Sequence, residues 1–488
     1  MHYRKMLYAT KAVLAGLLLS VPVQAERLPG SDGIGAEQNP AIIAQFGGKI
    51  GNQTLADYVD RIGRSLIAST EESQDRWTFT VLDSPVVNAF ALPGGYVYVT
   101  RGLLAIANNE AELAGVLGHE IGHVTLHHGE DRIRRNNRAG IGVVIGTILG
   151  GVIGGKDGAS DAVQLGVRLA GGYLARHSQT EEIEADNIGV RLLVQAGYNP
   201  FAAADFLEQL AAKEELERKV AGDQYNPNVV DFFASHPATG KRTRLAAEAA
   251  QRIAVSTGKG RLNEVEYLAE IDGLVYGDTA KEGFIRGLTF SHPEMRITIT
   301  LPPGFILQNS PQQVSAVSKS GARFIMKGDT RWIGAMDRYI ASRWSQAIMR
   351  EVPASNLRDV RNLEIHGIDA AMALMDVTTV DGPRIAQLVA LRLGDSTIRL
   401  VGLTTKSDGA TRNALNSALQ SFRRLTDQEI RDLQVYRLRV VTVRPGDTVE
   451  GLARTMPLTG MQAAQFRAMN GYRANADMRP GDLVKIVE

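Results

Sequence analysis

Cysteine is absent from the 488 residues, and that absence closes several routes at once. It excludes disulfides, thiolate metal ligands and a lipid-modified cysteine at a processed N-terminus. A chain of this size can do without disulfide staples. Any metal must therefore be held by histidines and carboxylates. Charge of one sign is lacking too: 54 Lys and Arg stand against 53 Asp and Glu, a formal net charge of +1. A dedicated nucleic-acid binder concentrates basic charge on one face, so nucleic acid is not an expected partner. Neither apolar run, Ala12 to Val21 or Ala139 to Gly155, reaches the roughly 20 residues of a spanning helix. What remains, 44% hydrophobic and 22% charged residues, is the composition of an ordinary globular protein. The length exceeds what one hydrophobic core supports and predicts two to four domains.

The first 25 residues read as a secretion signal. Arg4, Lys5 and Lys11 form a basic region, Ala12 to Val21 an apolar one, and Pro22-Val23-Gln24-Ala25 ends on a small residue suited to cleavage. Such a signal predicts export of the chain across a membrane. Residues 26–44, with Gly and Pro and no periodicity, read as a linker. Helical spacing of Leu55, Val59, Ile62 and Leu66 predicts a helix over Thr54 to Ala68, and strands are expected at Thr78 to Asp83 and Gly95 to Thr100. Asn109 with Glu112 resembles a capping box opening a helix through Val124. The Gly-rich run Ala139 to Gly155, behind Arg134, Arg135 and Arg138, reads as a helical hairpin beside the site, with contact at a membrane surface as the other reading. A helix is expected over Asp161 to Ala196, and Asn199-Pro200 opens the next. Residues 265–427 carry strand-like runs (Arg296 to Leu301, Ile398 to Leu403) and predict a separate α/β domain. Residues 437–488 carry strand, helix and strand signals.

The chemistry concentrates in His119-Glu120-Ile121-Gly122-His123. Residues four apart share one helix face, so both imidazoles can reach one metal ion, with Glu120 beside them to take a proton from water. A second motif, Glu182-Ile183-Glu184-Ala185-Asp186, also places two carboxylates four apart. His₂Glu is a standard ligand set for catalytic zinc, which makes Glu182 the expected third ligand of one Zn²⁺ per chain. Asp186 is expected to accept a hydrogen bond from the far nitrogen of a ligand histidine. His127 and His128 follow closely, but a continuing helix would carry them off the metal-facing stripe.

The run Asn88 to Gly95, then HEIGH, then EIEAD, then Ser235-His236-Pro237 with Arg242, resembles the M48 peptidases over roughly residues 45–250. Gln179 departs from the pattern, where many members carry Arg. The resemblance implies a mainly helical gluzincin-type peptidase domain with a small sheet (45–255), zinc on His119, His123 and Glu182, and Glu120 as general base. It also implies a periplasmic, outer-membrane-protein quality-control role. The expected fold class is α+β and multidomain. Polypeptides, envelope proteins among them, are the expected substrates, paired with an edge strand at Gly95, Tyr96, Val97 and Tyr98. His236 is expected either to stabilise the transition state or to plug the open metal position, and Arg242 to orient its loop by pairing with a carboxylate. His292, in a second Ser-His-Pro, reads as structural.

Residues 267–278 resemble a segment that accompanies the peptidase in some longer members. The tail, with Val441 to Thr448, Asn470-Gly471 and Arg479 to Asp482, resembles a βααβ LysM module, which implies binding to peptidoglycan glycan. Glu450 and Met469 depart from that pattern. Two other classes of function compete: a chaperone or assembly factor for outer-membrane proteins, acting without catalysis or beside it, and a peptidoglycan-anchored scaffold.

Overall fold

The computed structural model describes residues 31–68, 70, 74–131, 177–221, 236, 239–257, 260–352, 355–379, 382–458, 460–472 and 478–488. The expected signal, the glycine-rich run Ala139 to Gly155 with its arginines, and the first part of the helix expected from Asp161 lie outside these residues.

The chain opens with a helix where a linker was expected: α1 spans Ser31–Gln45. Its glycines and Pro40 hide it from a periodicity reading, since both are poor helix formers. Tertiary contact supplies the stability. Ile42 packs with Phe46, Leu82, Phe90, Leu92 and Tyr98. A Cβ on Gly35 would lie 2.1 Å from the Pro93 carbonyl oxygen, so only glycine fits there. Helix α2 (Gln53–Ile67) is capped by Asn52 and buries Leu55, Val59, Ile62 and Leu66.

Strands β1 (Thr78–Leu82), β2 (Ala89–Leu92) and β3 (Tyr96–Thr100) form a sheet in the order β1-β3-β2. The strand expected to offer a free edge is thus the central one. Tyr96, Val97 and Tyr98 are bonded to Thr78, Phe79 and Thr80 on one side and to Leu92, Ala91 and Phe90 on the other. The Gly95 carbonyl accepts from the Thr78 amide. Tyr96, Val97 and Tyr98 are thus flanked by a strand on each side and offer no free edge to a substrate. The other flank of β1 is met by the 48–50 segment, through Ile50 N–H to Val81 O and Asp83 N–H to Gly48 O. Strand β2 is the edge.

Helices α3 (Arg101–Ile106), α4 (Glu110–Thr125), α5 (Gln179–Gln195), α6 (Ala202–Ala221), α7 (Gly240–Thr257) and α8 (Glu264–Ile271) follow. Two caps set the pair that matters. Asn109 accepts from the Glu112 amide at the start of α4, and Ser178 and Glu181 form a reciprocal capping box on α5.

Strands β5 (Phe284–Arg286), β6 (Thr289–His292), β7 (Ile297–Thr300), β8 (Phe305–Ser310), β9 (Gln313–Ser318), β10 (Arg323–Asp329), β11 (Asn356–Ile365), β12 (Ile368–Thr379), β13 (Gly382–Leu393), β14 (Ser396–Thr405) and β15 (Arg423–Arg424) follow. They form a four-stranded sheet, β15-β7-β6-β5, and a seven-stranded one, β11-β12-β13-β14-β10-β9-β8. Every pairing in both is antiparallel. The expectation of an α/β domain is therefore corrected to α+β. Its strands read as near-continuous apolar runs because both faces of the large sheet are covered. Ala370, Met372, Val389 and Leu391 pack on the side of helix α10 (Gly409–Gln420). Ala371, Ala373, Leu388 and Ala390 pack on the side of the 336–351 helix, α9. After the short helix α11 (Asp427–Asp432), the tail has the order β16 (Tyr436–Thr442), α12 (Val449–Thr455), α13 (Gln462–Met469), β17 (Leu483–Val487).

The tail is not set apart. Leu438, Phe466, Met469 and Val484 belong to the same core as Leu104, Leu117 and Phe206. Strand β16 pairs with β4 (Val275–Tyr276) of the intervening segment. Lys485, fully buried, donates to the carbonyls of Ala105, Ile106 and Ala107 at 3.0, 2.8 and 2.7 Å, capping the C-terminus of α3. Among the described residues no helix is long and apolar enough to cross a membrane.

Candidate metal centre

Close packing of α4 against α5 builds the site, and glycine makes that packing available. A Cβ on Gly118 would sit 3.1 Å from the Gly189 Cα, and one on Gly122 would sit 3.1 Å from the Ala185 Cα and O. Gly118 and Gly122 thus form the stripe of α4 that lets its neighbouring histidines reach the carboxylates of α5.

His119, Glu120, His123 and Glu182 are all at most 5% exposed. His123 Nε2 lies 3.0 Å from His119 Nε2 and 3.4 Å from Glu182 Oε1, and His119 Nε2 lies 3.6 Å from Glu182 Oε2. On the far side of its ring, His119 Nδ1 meets Asp186 Oδ1 at 2.9 Å. His236 enters the same cluster: its Nδ1 is 3.0 Å from Glu182 Oε1 and 3.2 Å from His119 Nε2, and its Nε2 is 3.5 Å from Glu120 Oε1. Arg242, on α7 and 1% exposed, grips Asp186 with Nε and Nη2 at 2.8 Å each and reaches Glu182 Oε2 with Nη1 at 2.5 Å. One guanidinium therefore ties both α5 carboxylates to α7.

Taking charge out of water is expensive, and these groups respond to one another. Burial pushes the Glu120 carboxyl up from its ordinary range. Burial also pushes His123 well down. For His119 burial acts downward, but the hydrogen bond and charge of Asp186, with the charge of Glu182, outweigh it and hold the ring up. For Glu182 burial acts upward, and His236 with His123 and His119 overcome it, keeping the carboxylate ionised.

The donor set suits a cation. Ligand atoms of His119, His123, Glu182 and His236 all lie within 4.8 Å of one another. Glu120 Oε1 is buried without a hydrogen-bond partner, as expected of a base whose partner is a water or a substrate. The substrate-binding strand expected at Gly95 to Tyr98 is not brought to the site by its free edge. Its neighbour β2, beside α4, has a strand on one side only among the described residues.

Two residues of the site escape a reading by spacing. Helix α4 does not continue past Leu126: His127 takes a left-handed conformation (φ 56°), and the chain turns His128 back. His128 is 4% exposed with its Nδ1 2.9 Å from His123 Nδ1. His177, just before the Ser178 cap, stacks on His123 with ring centroids 3.8 Å apart. Six of the nine histidines of the chain, 119, 123, 127, 128, 177 and 236, are buried in this part of the molecule. That imbalance is the signal that could have pointed to them. His292 lies apart in β6, accepting from the Met295 amide.

Residues 53–250, which hold α4, α5 and the donor set, match the model described as Peptidase family M48. Among individual relatives, the mitochondrial metalloendopeptidase OMA1 of Arabidopsis thaliana is 34% identical over 36% of this chain and 31% of its own length. The protein of the same name from Schizosaccharomyces pombe is 32% identical over 39% of this chain and 52% of its own. The beta-barrel assembly-enhancing protease of Yersinia pestis is 33% identical over 34% of each chain. The chain thus spans between a third and about half of the length of these curated relatives.

Proposed function

We propose that the protein is a zinc-dependent metalloendopeptidase acting in the periplasm on misfolded or unassembled envelope proteins. The observation that carries this reading is the convergence of four buried donors on one point, with the unsatisfied carboxylate of Glu120 beside it. The substrate class and location rest on the beta-barrel assembly-enhancing relatives and on the basic-then-apolar N-terminal sequence.

His119, His123 and Glu182 would hold the ion. When bound, zinc supplies Lewis-acid polarisation of the scissile carbonyl and acidifies a water. Glu120, raised by burial, takes the proton of the attacking water and delivers it to the leaving amine. Asp186 fixes the His119 ring so that Nε2 faces the ion. Arg242 holds Asp186 and Glu182 in register. An extended substrate has the free edge of β2 to pair with, through backbone bonds that carry little sequence preference.

His236 sits among the ligand atoms, which favours its plugging the open position over its stabilising a transition state. On this reading His236 holds the enzyme partly latent, and its departure from the open position raises the rate. The glycan-binding role of the tail is a further expectation of the proposal, checked by co-sedimentation with insoluble peptidoglycan.

The test is zinc content and casein cleavage of the purified protein beside Glu120→Gln. The variant should keep about one zinc per chain and lose cleavage by a factor of about 10²–10⁴, because an amide cannot accept the proton. A wild type without zinc, or an active Glu120→Gln, would refute the proposal.

A further inference from the structure

The two imidazoles of α4 that face the donor set are backed differently. His119 turns Nδ1 to a carboxylate, Asp186. His123 turns Nδ1 to another imidazole, His128, at 2.9 Å, and His128 Nε2 lies 3.2 Å from Glu184 Oε2. Two ring nitrogens at that separation must be one donor and one acceptor. A bare Nε2 on His123 is required to bind the ion, so its proton sits on Nδ1 and His128 Nδ1 accepts it. The proton of His128 is then on Nε2, where the Glu184 carboxylate receives it. One assignment satisfies every atom of the chain Glu184, His128, His123.

The backbone is shaped for this. His127 adopts a left-handed φ of 56°, rare outside glycine, and without that break His128 would continue along α4, away from His123. Glu184 comes from α5 between Glu182 and Asp186, so one helix supplies a ligand and both terminal carboxylates behind the histidines. His177 lies against the His123 ring, with centroids 3.8 Å apart and planes 29° from parallel, fixing its plane as His128 fixes its rotation.

We propose that His128, backed by Glu184, is the positioning residue for the metal ligand His123, fixing its tautomer and orientation as Asp186 does for His119. The inference rests on the zinc reading of the site. Hydrogen-bonding partners behind a ligand histidine typically contribute 10–100-fold in metal affinity. A second cation held by His123, His128 and His177, whose ligand atoms also lie within 4.8 Å, is the competing use of the same atoms. It would require His123 to give up both ring protons and bridge two ions.

The experiment measures zinc affinity of the metal-free full chain by competition with a chromophoric chelator, together with stoichiometry at excess zinc. His128→Leu keeps the bulk and removes the acceptor. It should weaken zinc binding 10–100-fold, while His128→Asn, whose Oδ1 falls near the place of Nδ1, should stay within a few-fold of wild type. Glu184→Leu, at a half-exposed side chain that the fold tolerates, should weaken binding several-fold. Wild-type affinity in His128→Leu, or equal weakness in His128→Leu and His128→Asn, overturns the proposal. So does a second zinc per wild-type chain that His128→Leu abolishes. Should His128→Leu fail to fold, unchanged affinity in Glu184→Leu overturns it alone. Absence of zinc binding by the wild type would instead remove the zinc reading on which the inference stands.

Discussion

Two buried arginines, one in each half of the molecule, have nearly the same surroundings and different meanings. Arg242 is 1% exposed and pairs with Asp186 and Glu182; Arg399 is 4% exposed and pairs with Asp329. Around Arg399 the polar groups satisfy one another. Asp329 also accepts from Tyr339 and the Thr330 amide, and the guanidinium lies over the Tyr339 and Trp344 rings. Around Arg242 they look outward. Asp186 is shared with His119, Glu182 with His123 and His236, and Glu120 keeps an oxygen without a hydrogen-bond partner. A closed ionic network is architecture, whereas one with surplus donors converging on a point is a site.

The largest effect should separate the two at once. Glu182→Ala removes one of the three proposed ligands, so metal content should fall to the background of a chelator-treated sample and cleavage by more than about 10³-fold. Arg399→Leu should leave zinc content unchanged while lowering stability by about 3–5 kcal/mol, because Asp329 stays buried with only the more distant Arg343, at 3.8 Å, as a cation. Chemical denaturation followed by tryptophan fluorescence measures that loss. Loss of zinc in Arg399→Leu would merge the two networks and defeat the comparison.

His236→Ala sharpens it from the other side. A residue that occupies the open position should, when removed, leave zinc bound and raise kcat/KM on casein. A fall on the order of 10²–10³-fold would instead make His236 a transition-state donor.

Much of the site was legible, for a reason particular to it. The pairs His119/His123 and Glu182/Asp186 each lie four apart, and helical geometry turns that spacing into a shared face whatever the surroundings. Residues placed by tertiary contact were not legible. His128 returns only because His127 breaks the helix, and His177 sits where the α5 cap puts it. The order β1-β3-β2 follows from a parallel crossover that local patterns do not encode, so the central strand was mistaken for an edge. Helix α1 shows the same limit, its glycines and Pro40 being compensated by packing on Phe90 and Tyr98. The tail's own signals gave strand, helix and strand, the second helix came only with the LysM resemblance, and neither told that Phe466 and Val484 share a core with α4.

That shared core makes Lys485 the hinge of the next prediction. Burial pulls its amine down to about 7, against the charge of Glu112 on α4, and burial pushes Glu112 up to about 7. Lys485→Met removes the donor to the Ala105, Ile106 and Ala107 carbonyls and the positive charge near Glu112. The Glu112 carboxylate keeps the Asn108 amide and Asn109 Nδ2, so the expected loss is about 1–3 kcal/mol. Adding Glu112→Gln should recover part of it, since the double change removes the lone charge. Strict additivity in a double-mutant cycle by chemical denaturation would show that the two charges do not communicate.

The smallest effect lies at the surface, where pairing is cheap to lose. Glu429 closes a capping box with Thr426 at the start of α11 and is bidentate with Arg423 of β15. The Arg423 hydrogen bonds, then the Thr426 amide, hold its carboxyl down at about 2, from an ordinary value of 4.5. A depressed carboxylate contributes stability that is complete above the unfolded pKa and lost as pH falls through the folded one, here between 4.5 and about 2. The Glu429 side chain is 37% exposed, so screening trims the effect to about 1 kcal/mol or less. Glu429→Gln should therefore lower Tm by about a degree or two at pH 7, and the gap to wild type should narrow through that acid window. Both Arg423→Gln and 1 M NaCl should shrink the gap as well. A gap that persists at pH 2 would assign the effect to the cap geometry of α11 and not to the charge.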